Sequence, residues 1–224
     1  MKKGGASLRL TMERPPKRLV AGFQDLPTTT LAEFLTLDSV MRHEVRPLWA
    51  PMPRVAGPAY TVRTVRHDNL MLHTAIYHAE PGDVIVVQAG DDRMAVAGGN
   101  ACAVAQRRGV AGFVVDGVIR DVAESRGRGF PVFARGVSPI PAGQDDPGEV
   151  GGPITCGGVR VNPGDVVVVA DEEGIGVVAR ARAEAVLKNA RAKAARDAAE
   201  SLPEWERKHR ARVENTLRAH GYLG

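Results

Sequence analysis

Two short segments of the chain combine residue types that suit an anion and a divalent cation. The first begins with Gly98 and Gly99, and the second ends in Arg120 and Asp121. Paired glycines let a ligand approach backbone N–H groups closely, and a helix that begins there adds a partial positive charge. The guanidinium of Arg120 can pair bidentately with a carboxylate, and Asp121 offers the hard oxygen ligand that Mg²⁺ or Mn²⁺ prefers. Together they indicate a small site for an anion and a metal ion.

Each segment also has a simpler interpretation. The glycines could form an ordinary tight turn with Asn100 as the N-cap of the next helix, and Arg120 beside Asp121 could be a surface ion pair. The two segments flank one predicted helix–strand unit, so their loops should converge. That convergence makes the two segments together a stronger indication of a functional site than either segment is alone.

The elements around these segments predict a strand–helix alternation. Residues 100–108 indicate a helix that ends at Gly109, residues 111–115 a buried strand, Asp116-Gly117 a turn, and residues 120–126 a short helix. Residues 131–134 indicate another strand. In open parallel sheets, ligands bind outside the carboxyl ends of the strands. The second segment is predicted to lie at such an end.

The rest of the body follows the same alternation. Helices are predicted over residues 28–42 and 69–79, and a strand over residues 60–65. A Pro-Gly-Asp turn precedes a β-branched run twice, at residues 81–87 and 163–169, which suits strands buried on both faces. This pattern predicts an α/β fold with a mainly parallel sheet.

Charge divides the chain into three parts. Residues 1–18 carry six Lys/Arg and one Glu, and residues 181–224 carry ten Lys/Arg and six acids. Residues 19–180 carry 14 Arg/Lys and 19 acids. We predict a disordered leader over residues 1–18, a catalytic domain over 19–180 and a helical extension over 181–224, in which Pro203 interrupts a long charged helix. An acidic body argues against a nucleic-acid surface there. The extension is then a solvated helix packed on the body or a neighbour, with a nucleic-acid arm as the alternative.

The absence of lysine from the body narrows the chemistry. No lysine lies between Lys17 and Lys188, which argues against a Schiff-base enzyme and against a P-loop. A metal ion is then the better electron sink for carbanion chemistry. No run of 18 apolar residues is present, which argues against a membrane span, and two distant cysteines fit a reducing cytoplasm.

Other candidate residues carry weaker signals. The six histidines are scattered, and the pair nearest to a helix-face metal spacing, His73 and His78, is five residues apart. Asp68 and Asn69 suit a cap for the helix that follows. Cys102 lies on the predicted helix without a neighbouring base, so we expect it to be a packing residue.

Four stretches together resemble the RraA-like family. They are residues 98–100 (Gly-Gly-Asn), 105–112 (Ala-Gln-Arg-Arg-Gly-Val-Ala-Gly), 116–121 (Asp-Gly-Val-Ile-Arg-Asp) and 130–136 (Phe-Pro-Val-Phe-Ala-Arg-Gly). Residues 55–62, 68–70 and 157–159 and both Pro-Gly-Asp turns also fit, so the resemblance covers roughly residues 30–200. The family contains 4-hydroxy-4-methyl-2-oxoglutarate/4-carboxy-4-hydroxy-2-oxoadipate aldolases and the regulator of ribonuclease E activity.

The resemblance implies a single α/β domain of the swivelling β/β/α type with a C-terminal helical extension. It also implies trimers or paired trimers with sites at subunit interfaces. In the aldolases, the Arg that matches Arg120 contacts the pyruvyl carboxylate and carbonyl, and the Asp that matches Asp121 is the direct metal ligand. The pyruvyl group is held by backbone amides of the loop that matches Gly98, Gly99, Asn100 and Ala101.

The chain departs from the aldolase pattern in one place. Aldolases often carry an acid within this loop, where the present sequence has Gly99 and Asn100. A glutamate from a neighbouring subunit's C-terminal region is another family feature, for which Glu200 is the candidate match. The regulator branch keeps the fold but departs from the metal-site pattern.

The residues and the resemblance together predict a cytoplasmic, Mg²⁺- or Mn²⁺-dependent aldolase. It would cleave a 4-hydroxy-2-oxo dicarboxylate to pyruvate and a second 2-oxo acid, with Arg120 as the catalytic residue, and it would decarboxylate oxaloacetate as a side activity. The alternative is a non-catalytic regulator that binds a ribonuclease through its surface.

Overall fold

The computed structural model describes residues 8–164 and 166–222. Within them the helices are α1 (Lys17–Ala21), α2 (Thr28–Ala32), α3 (Leu70–His78), α4 (Gly99–Arg107), α5 (Val122–Gly127), α6 (Arg180–Ala199) and α7 (Leu202–Ala219). The strands are β1 (Arg46–Pro47), β2 (Val55–Arg63), β3 (Val84–Gln88), β4 (Gly112–Ile119), β5 (Val132–Val137), β6 (Glu149–Val150), β7 (Ile154–Cys156), β8 (Val159–Val161), β9 (Val166–Asp171) and β10 (Gly174–Ala179).

One sheet organises the body, in the order β1-β5-β4-β3-β2-β9-β10, with β6 paired to β2. The pairs β2–β3, β3–β4 and β4–β5 are parallel. The pairs β1–β5, β2–β6, β2–β9 and β9–β10 are antiparallel, and β7 with β8 forms a separate antiparallel pair. The prediction of a mainly parallel sheet is therefore confirmed for the centre, while the flanks are antiparallel.

The central strands form because their side chains are apolar on both faces. The first four residues of β3, Val84 to Val87, are buried, as the β-branched run predicted. Gly82 precedes the strand at φ +94, a left-handed conformation that glycine adopts without a Cβ clash. The second Pro-Gly-Asp turn feeds β9, although Asp165 lies outside the described residues.

Two apolar cores hold the layers together. The larger core packs the central strands against α3 and α4, with Tyr60, Leu72, Phe113 and Phe133 among its members. The second core joins α1, α2 and α6 through Phe23, Leu31 and Leu187. The predicted α/β class with C-terminal helices is confirmed. Helix α6 nevertheless shares a core with the body, while α7 has no buried residue.

The segment predicted as a helix over residues 28–42 is not one helix. It forms α2 and then one 3₁₀ turn at Leu37–Ser39. Leu37 is 92% exposed, so the apolar spacing does not face a core there. The chain instead contacts the edge strand β10, where the N–H of Met41 donates to the carbonyl of Ile175 at 3.0 Å.

Residues 8–18 of the predicted leader pack on the body rather than standing apart from it. The hydroxyl of Tyr60 donates to the carbonyl of Leu10 at 3.0 Å, and the guanidinium of Arg14 pairs with the buried carboxylate of Asp83 at 2.8 Å. Residues 1–7 lie outside the described part. No helix among residues 8–164 and 166–222 combines the length and apolarity needed to cross a bilayer.

Candidate active site

The two segments singled out from the sequence meet beyond the carboxyl end of β4. The N–H of Arg120 donates to the carbonyl of Ala97 at 2.9 Å, and the N–H of Gly99 donates to Asp121 Oδ2 at 3.0 Å. The predicted convergence of the two loops is therefore present in the structure. It places the N-terminus of α4 directly against the Arg120–Asp121 pair.

Asp121 reaches α4 because of an unusual backbone conformation. It is the N-cap of α5, with φ 57 and ψ 40, and its side chain makes no hydrogen bond to its own helix. A left-handed conformation is uncommon for a residue with a Cβ, although Asp tolerates it better than most. The carboxylate instead accepts from the first residue of α4. The strained backbone conformation of Asp121 places its carboxylate at the N-terminus of α4.

The paired glycines make room for charged side chains. A Cβ on Gly98 would lie 2.6 Å from Asp121 Oδ2 and 3.0 Å from Arg120 Nε. A Cβ on Gly99 would lie 2.0 Å from Glu124 Oε2. The absence of side chains at these two positions is therefore what lets three charged groups crowd around the start of α4.

Three local expectations need correction. The N-cap of α4 is Gly98 rather than Asn100, which lies one residue inside the helix. Helix α5 begins at Val122, so Arg120 and Asp121 precede it. Asp116-Gly117 is not a turn, because β4 continues to Ile119 with a bulge between Val115 and Val118.

Gly117 lies in this bulge at a position where a side chain would clash with the neighbouring segment. A Cβ on Gly117 would lie 2.5 Å from the Cβ of Ala89 and 2.8 Å from the carbonyl oxygen of Asp91. The glycine therefore serves a close approach between neighbouring strands. Asp116 points elsewhere: its carboxylate accepts from the side chain of Arg135 and from the N–H of Gly157. It belongs to a structural ion pair outside the cavity that Arg120 lines.

That cavity has a volume of about 320 Å³. Gly98, Asn100, Ala101, Arg120 and Asp121 all line it, so most of the sequence-predicted site shares one concave surface. Gly99 is buried and contributes its N–H to Asp121 instead. A volume of this size is at the lower end of small-molecule sites and suits a short dicarboxylic acid.

The cavity favours a carboxylate for two reasons. The first N–H groups of a helix have no partner within it, and Asn100 and Ala101 in the first turn of α4 line this cavity. The guanidinium of Arg120 is also at the cavity, with its side chain 43% exposed and its Nε 3.5 Å from Asp121 Oδ2. The pair is thus a loose ion pair, as the simpler interpretation held, and it also lines the cavity.

The cavity is also lined by residues that the sequence did not single out as functional. Asn69 and His73 reach the cavity from α3, and Gln144 reaches it from a loop. Burial lowers the pKa of His73, and the nearby carboxylate of Asp68 only partly opposes this shift. The four-residue spacing of Asn69 and His73, one face of a helix, was the available signal.

The donor set of the cavity suits an open site for a divalent metal. The described residues contain no group of three or more His, Cys, Asp or Glu side chains that could hold a metal ion. Asp121 is one carboxylate at the cavity with its side chain 38% exposed. A single carboxylate fits Mg²⁺ or Mn²⁺ held mostly by water and substrate oxygens, which is how Mg²⁺ is often bound. It does not fit a closed protein cage.

Comparison with known proteins agrees with the fold. A model of the RraA-like family, described as Aldolase/RraA, matches residues 28–177. The match covers more than half of the chain, so the protein belongs to the RraA-like family. The resemblance inferred from the sequence is therefore confirmed.

The family members that it resembles carry two kinds of name. A Halalkalibacterium halodurans protein with the provisional name 4-hydroxy-4-methyl-2-oxoglutarate aldolase is 37% identical over 205 residues, 91% of this chain and 93% of that protein. The structure of Streptomyces coelicolor RraAS2, described as an unusual member of the RNase ES inhibitor RraA family, has a TM-score of 0.70 and 31% identity, covering 89% and 99% of the two chains. The RNA-processing inhibitor RraA of Thermus thermophilis has a TM-score of 0.62 and 28% identity, covering 69% and 93%.

Proposed function

We propose that the protein is a divalent-metal-dependent aldolase. It cleaves a 4-hydroxy-2-oxo dicarboxylate, 4-hydroxy-4-methyl-2-oxoglutarate or 4-carboxy-4-hydroxy-2-oxoadipate, to pyruvate and a second 2-oxo acid. The observation that carries this proposal is the meeting of Arg120, Asp121 and the N-terminus of α4 in one cavity. The aldolase name of the Halalkalibacterium relative supports it.

The pyruvyl end of the substrate binds at the α4 wall. Its carboxylate accepts from the N–H groups of Asn100 and Ala101, which lie in the first turn of α4 and lack partners within the helix. The Arg120 guanidinium donates to the 2-oxo group and stabilises the negative charge that develops there as the C3–C4 bond breaks. Because Arg stays protonated throughout, its positive charge is in place before the bond breaks.

Asp121 would hold Mg²⁺ or Mn²⁺ at the same wall. When bound, the metal ion would supply Lewis-acid stabilisation of the enolate. The carboxylate is fixed for this role by the N–H of Gly99 at 3.0 Å, which orients one oxygen and leaves the other directed away from that bond. A lysine-free body agrees with metal rather than imine chemistry.

Pyruvate release tests the function directly. We expect turnover of 4-hydroxy-4-methyl-2-oxoglutarate with Mg²⁺ or Mn²⁺ and its loss with EDTA. Oxaloacetate should be decarboxylated as a side activity because it passes through the same enolate. Turnover that EDTA leaves unchanged would reject the metal mechanism.

A second candidate is a non-catalytic regulator that binds a ribonuclease. The names of the Streptomyces and Thermus relatives favour it, whereas the presence of both Arg120 and Asp121 favours the enzyme. The regulator predicts no pyruvate release from either substrate and retention of a ribonuclease in a pulldown.

We further propose that the chain forms trimers or pairs of trimers. The exposed apolar residues of α7, among them Leu202, Trp205 and Val213, support a further contact surface. Mass photometry should show a species of three or six chains, and a monomer alone would contradict this proposal.

A further inference from the structure

The cavity has a second polar wall, formed by helix α3. Asn69 is the N-cap of this helix, and His73 lies four residues further along, with its N–H donating to the carbonyl of Asn69 at 3.1 Å. Both residues line the cavity together with Arg120 and Asp121. Gln144 from a loop adds a third polar side chain to this lining. The wall is therefore suited to the polar end of a substrate.

Few groups at this cavity can exchange a proton near neutral pH. Of the described residues that line it, the titratable ones are His73, Arg120 and Asp121. Arg120 stays protonated, and Asp121 Oδ2 accepts from Gly99 beside the Arg120 guanidinium. The loop over residues 98–101 contributes no titratable side chain. His73 is left as the group suited to acid–base work.

The surroundings of His73 keep its imidazole neutral. Burial lowers the pKa of His73 from its ordinary value, and the carboxylate of Asp68 acts in the opposite direction with a smaller effect. Asp68 is itself held by the N–H groups of Leu70, Asp145 and Asp146 at 2.7, 2.7 and 3.0 Å. Across the cavity, the charged groups are those of Arg120 and Asp121. A neutral imidazole can accept a proton at pH 7.

We propose that His73 is the catalytic acid–base residue of the aldol cleavage, an inference that rests on the proposed function. Its imidazole takes the proton of the substrate's C4 hydroxyl as the C3–C4 bond breaks. The electron pair of that bond passes into the pyruvate enolate at the Arg120 wall, and C4 becomes the carbonyl carbon of the second 2-oxo acid. The imidazolium then returns the proton to C3, which gives the methyl group of pyruvate. No oxidant or other co-reactant is needed.

Two reactions of the same site separate this role from a structural one. Aldol cleavage requires removal of the C4 hydroxyl proton, whereas oxaloacetate loses CO₂ and has no such proton. His73→Asn should therefore lower kcat for 4-hydroxy-4-methyl-2-oxoglutarate by about 100-fold or more, the size of a general acid–base contribution. KM should stay within about threefold, and oxaloacetate decarboxylation should fall by less than about tenfold, since water can protonate the enolate.

The control is His78→Asn, which changes an exposed histidine on the same helix and should leave both reactions unchanged. A second measurement guards against a folding defect: His73→Gln, with circular dichroism matched to the wild type, should slow exchange of the pyruvate methyl protons with D₂O. The acidic limb of the wild-type pH profile for kcat, where His73 takes up a proton, should also disappear in this variant.

The outcomes distinguish the two proposals. If the wild type cleaves the substrate and His73→Asn does so equally well, the role of His73 is rejected and the proposed function stands. If both reactions fall by the same factor, His73 acts structurally and the inference is again rejected. If the wild type turns over neither substrate, the proposed function fails and the role of His73 fails with it.

Discussion

At the scale of single residues, the site depends on what Gly98 and Gly99 lack. Added Cβ atoms would lie within 2.0 to 2.6 Å of the carboxylates of Glu124 and Asp121. Those atoms are the ends of flexible side chains, so the chain could yield at small energetic cost. At Gly98 the groups that would move are the side chains of Arg120 and Asp121, which line the cavity. The two glycines are thus more important for function than for folding.

The substitution Gly98→Ala tests whether this glycine is needed for function rather than for folding. The new Cβ should displace Arg120 and Asp121, and a displacement of about 1 Å at a reacting site can cost about 100-fold in rate. We expect kcat/KM for pyruvate release to fall by about 10- to 100-fold, with the urea midpoint nearly unchanged. Gly127→Ala, where an added Cβ meets nothing within 4 Å, is the matched control and should keep full activity. A Gly98→Ala protein as active as this control would contradict the argument.

Asp121→Asn separates metal binding from folding at the same wall. The amide oxygen can still accept from Gly99, so the contact with α4 should survive while the negative charge is lost. Outer-shell changes alone cost about 10- to 100-fold in metal affinity, so we expect Mn²⁺ to bind at least about tenfold more weakly. Electron paramagnetic resonance of Mn²⁺, without substrate, measures this. Unchanged Mn²⁺ affinity would exclude Asp121 as the ligand.

At the scale of elements, a buried aspartate joins the two parts of the second wall. Asp68 is 4% exposed. Its carboxylate accepts from the N–H of Leu70 at the start of α3 and from the N–H groups of Asp145 and Asp146 in the loop between β5 and β6. Gly143 adds a backbone bridge, since Asn69 donates to its carbonyl at 2.8 Å. Helix α3 and the loop that contributes Gln144 are therefore held as one unit.

Asp68→Ala should weaken this unit. Each buried donor left without an acceptor costs about 1–3 kcal/mol, and some of the loop N–H groups will gain water, so we expect a total loss of about 3 kcal/mol in the free energy of unfolding. Urea denaturation checks the value. Asp92→Ala, at an exposed position, should change stability by less than about 0.5 kcal/mol. Equal stability of the two variants would show that the wall is not held by Asp68.

The sequence was informative where one local pattern decides the structure. The buried run Val84 to Val87 formed the predicted strand, and the glycine pair formed the predicted helix start as the N-cap and first residue of α4, because β-branched content and glycine act locally. The second wall was not predicted, since Asn69 and Gln144 are 75 residues apart and only the tertiary fold joins them. Asp116-Gly117 was mistaken for a turn, because its glycine serves a contact with Ala89 that the sequence does not show.

At the scale of the whole molecule, the N-terminal and C-terminal segments share a core away from the cavity. Leu19 and Phe23 pack with Val186 and Leu187 of α6 against the sheet. The predicted boundary between residues 180 and 181 falls at the start of α6, yet this helix is anchored to the body by buried side chains. Helix α7 contributes no buried side chain.

The substitution Phe23→Ala tests whether the second core stabilises the fold without affecting the cavity. Phe23 is fully buried, and replacing a buried Phe with Ala costs about 3–5 kcal/mol. The free energy of unfolding should fall by that amount, while kcat per folded molecule stays the same, because the second core does not line the cavity. Removal of α7 should leave the unfolding midpoint of the chain nearly unchanged. A large loss of kcat in folded Phe23→Ala would show that the two regions are coupled.

The proposed function assigns the aldol chemistry to the cavity at Arg120. Its most direct test is kcat/KM for pyruvate release from 4-hydroxy-4-methyl-2-oxoglutarate with Mg²⁺, compared between wild type, Arg120→Ala and the exposed-site control Arg126→Ala. Loss of one preorganised donor to the developing charge costs about 100- to 1,000-fold. We expect that loss for Arg120→Ala and wild-type activity for Arg126→Ala, whereas full activity of Arg120→Ala would exclude Arg120 from the reaction.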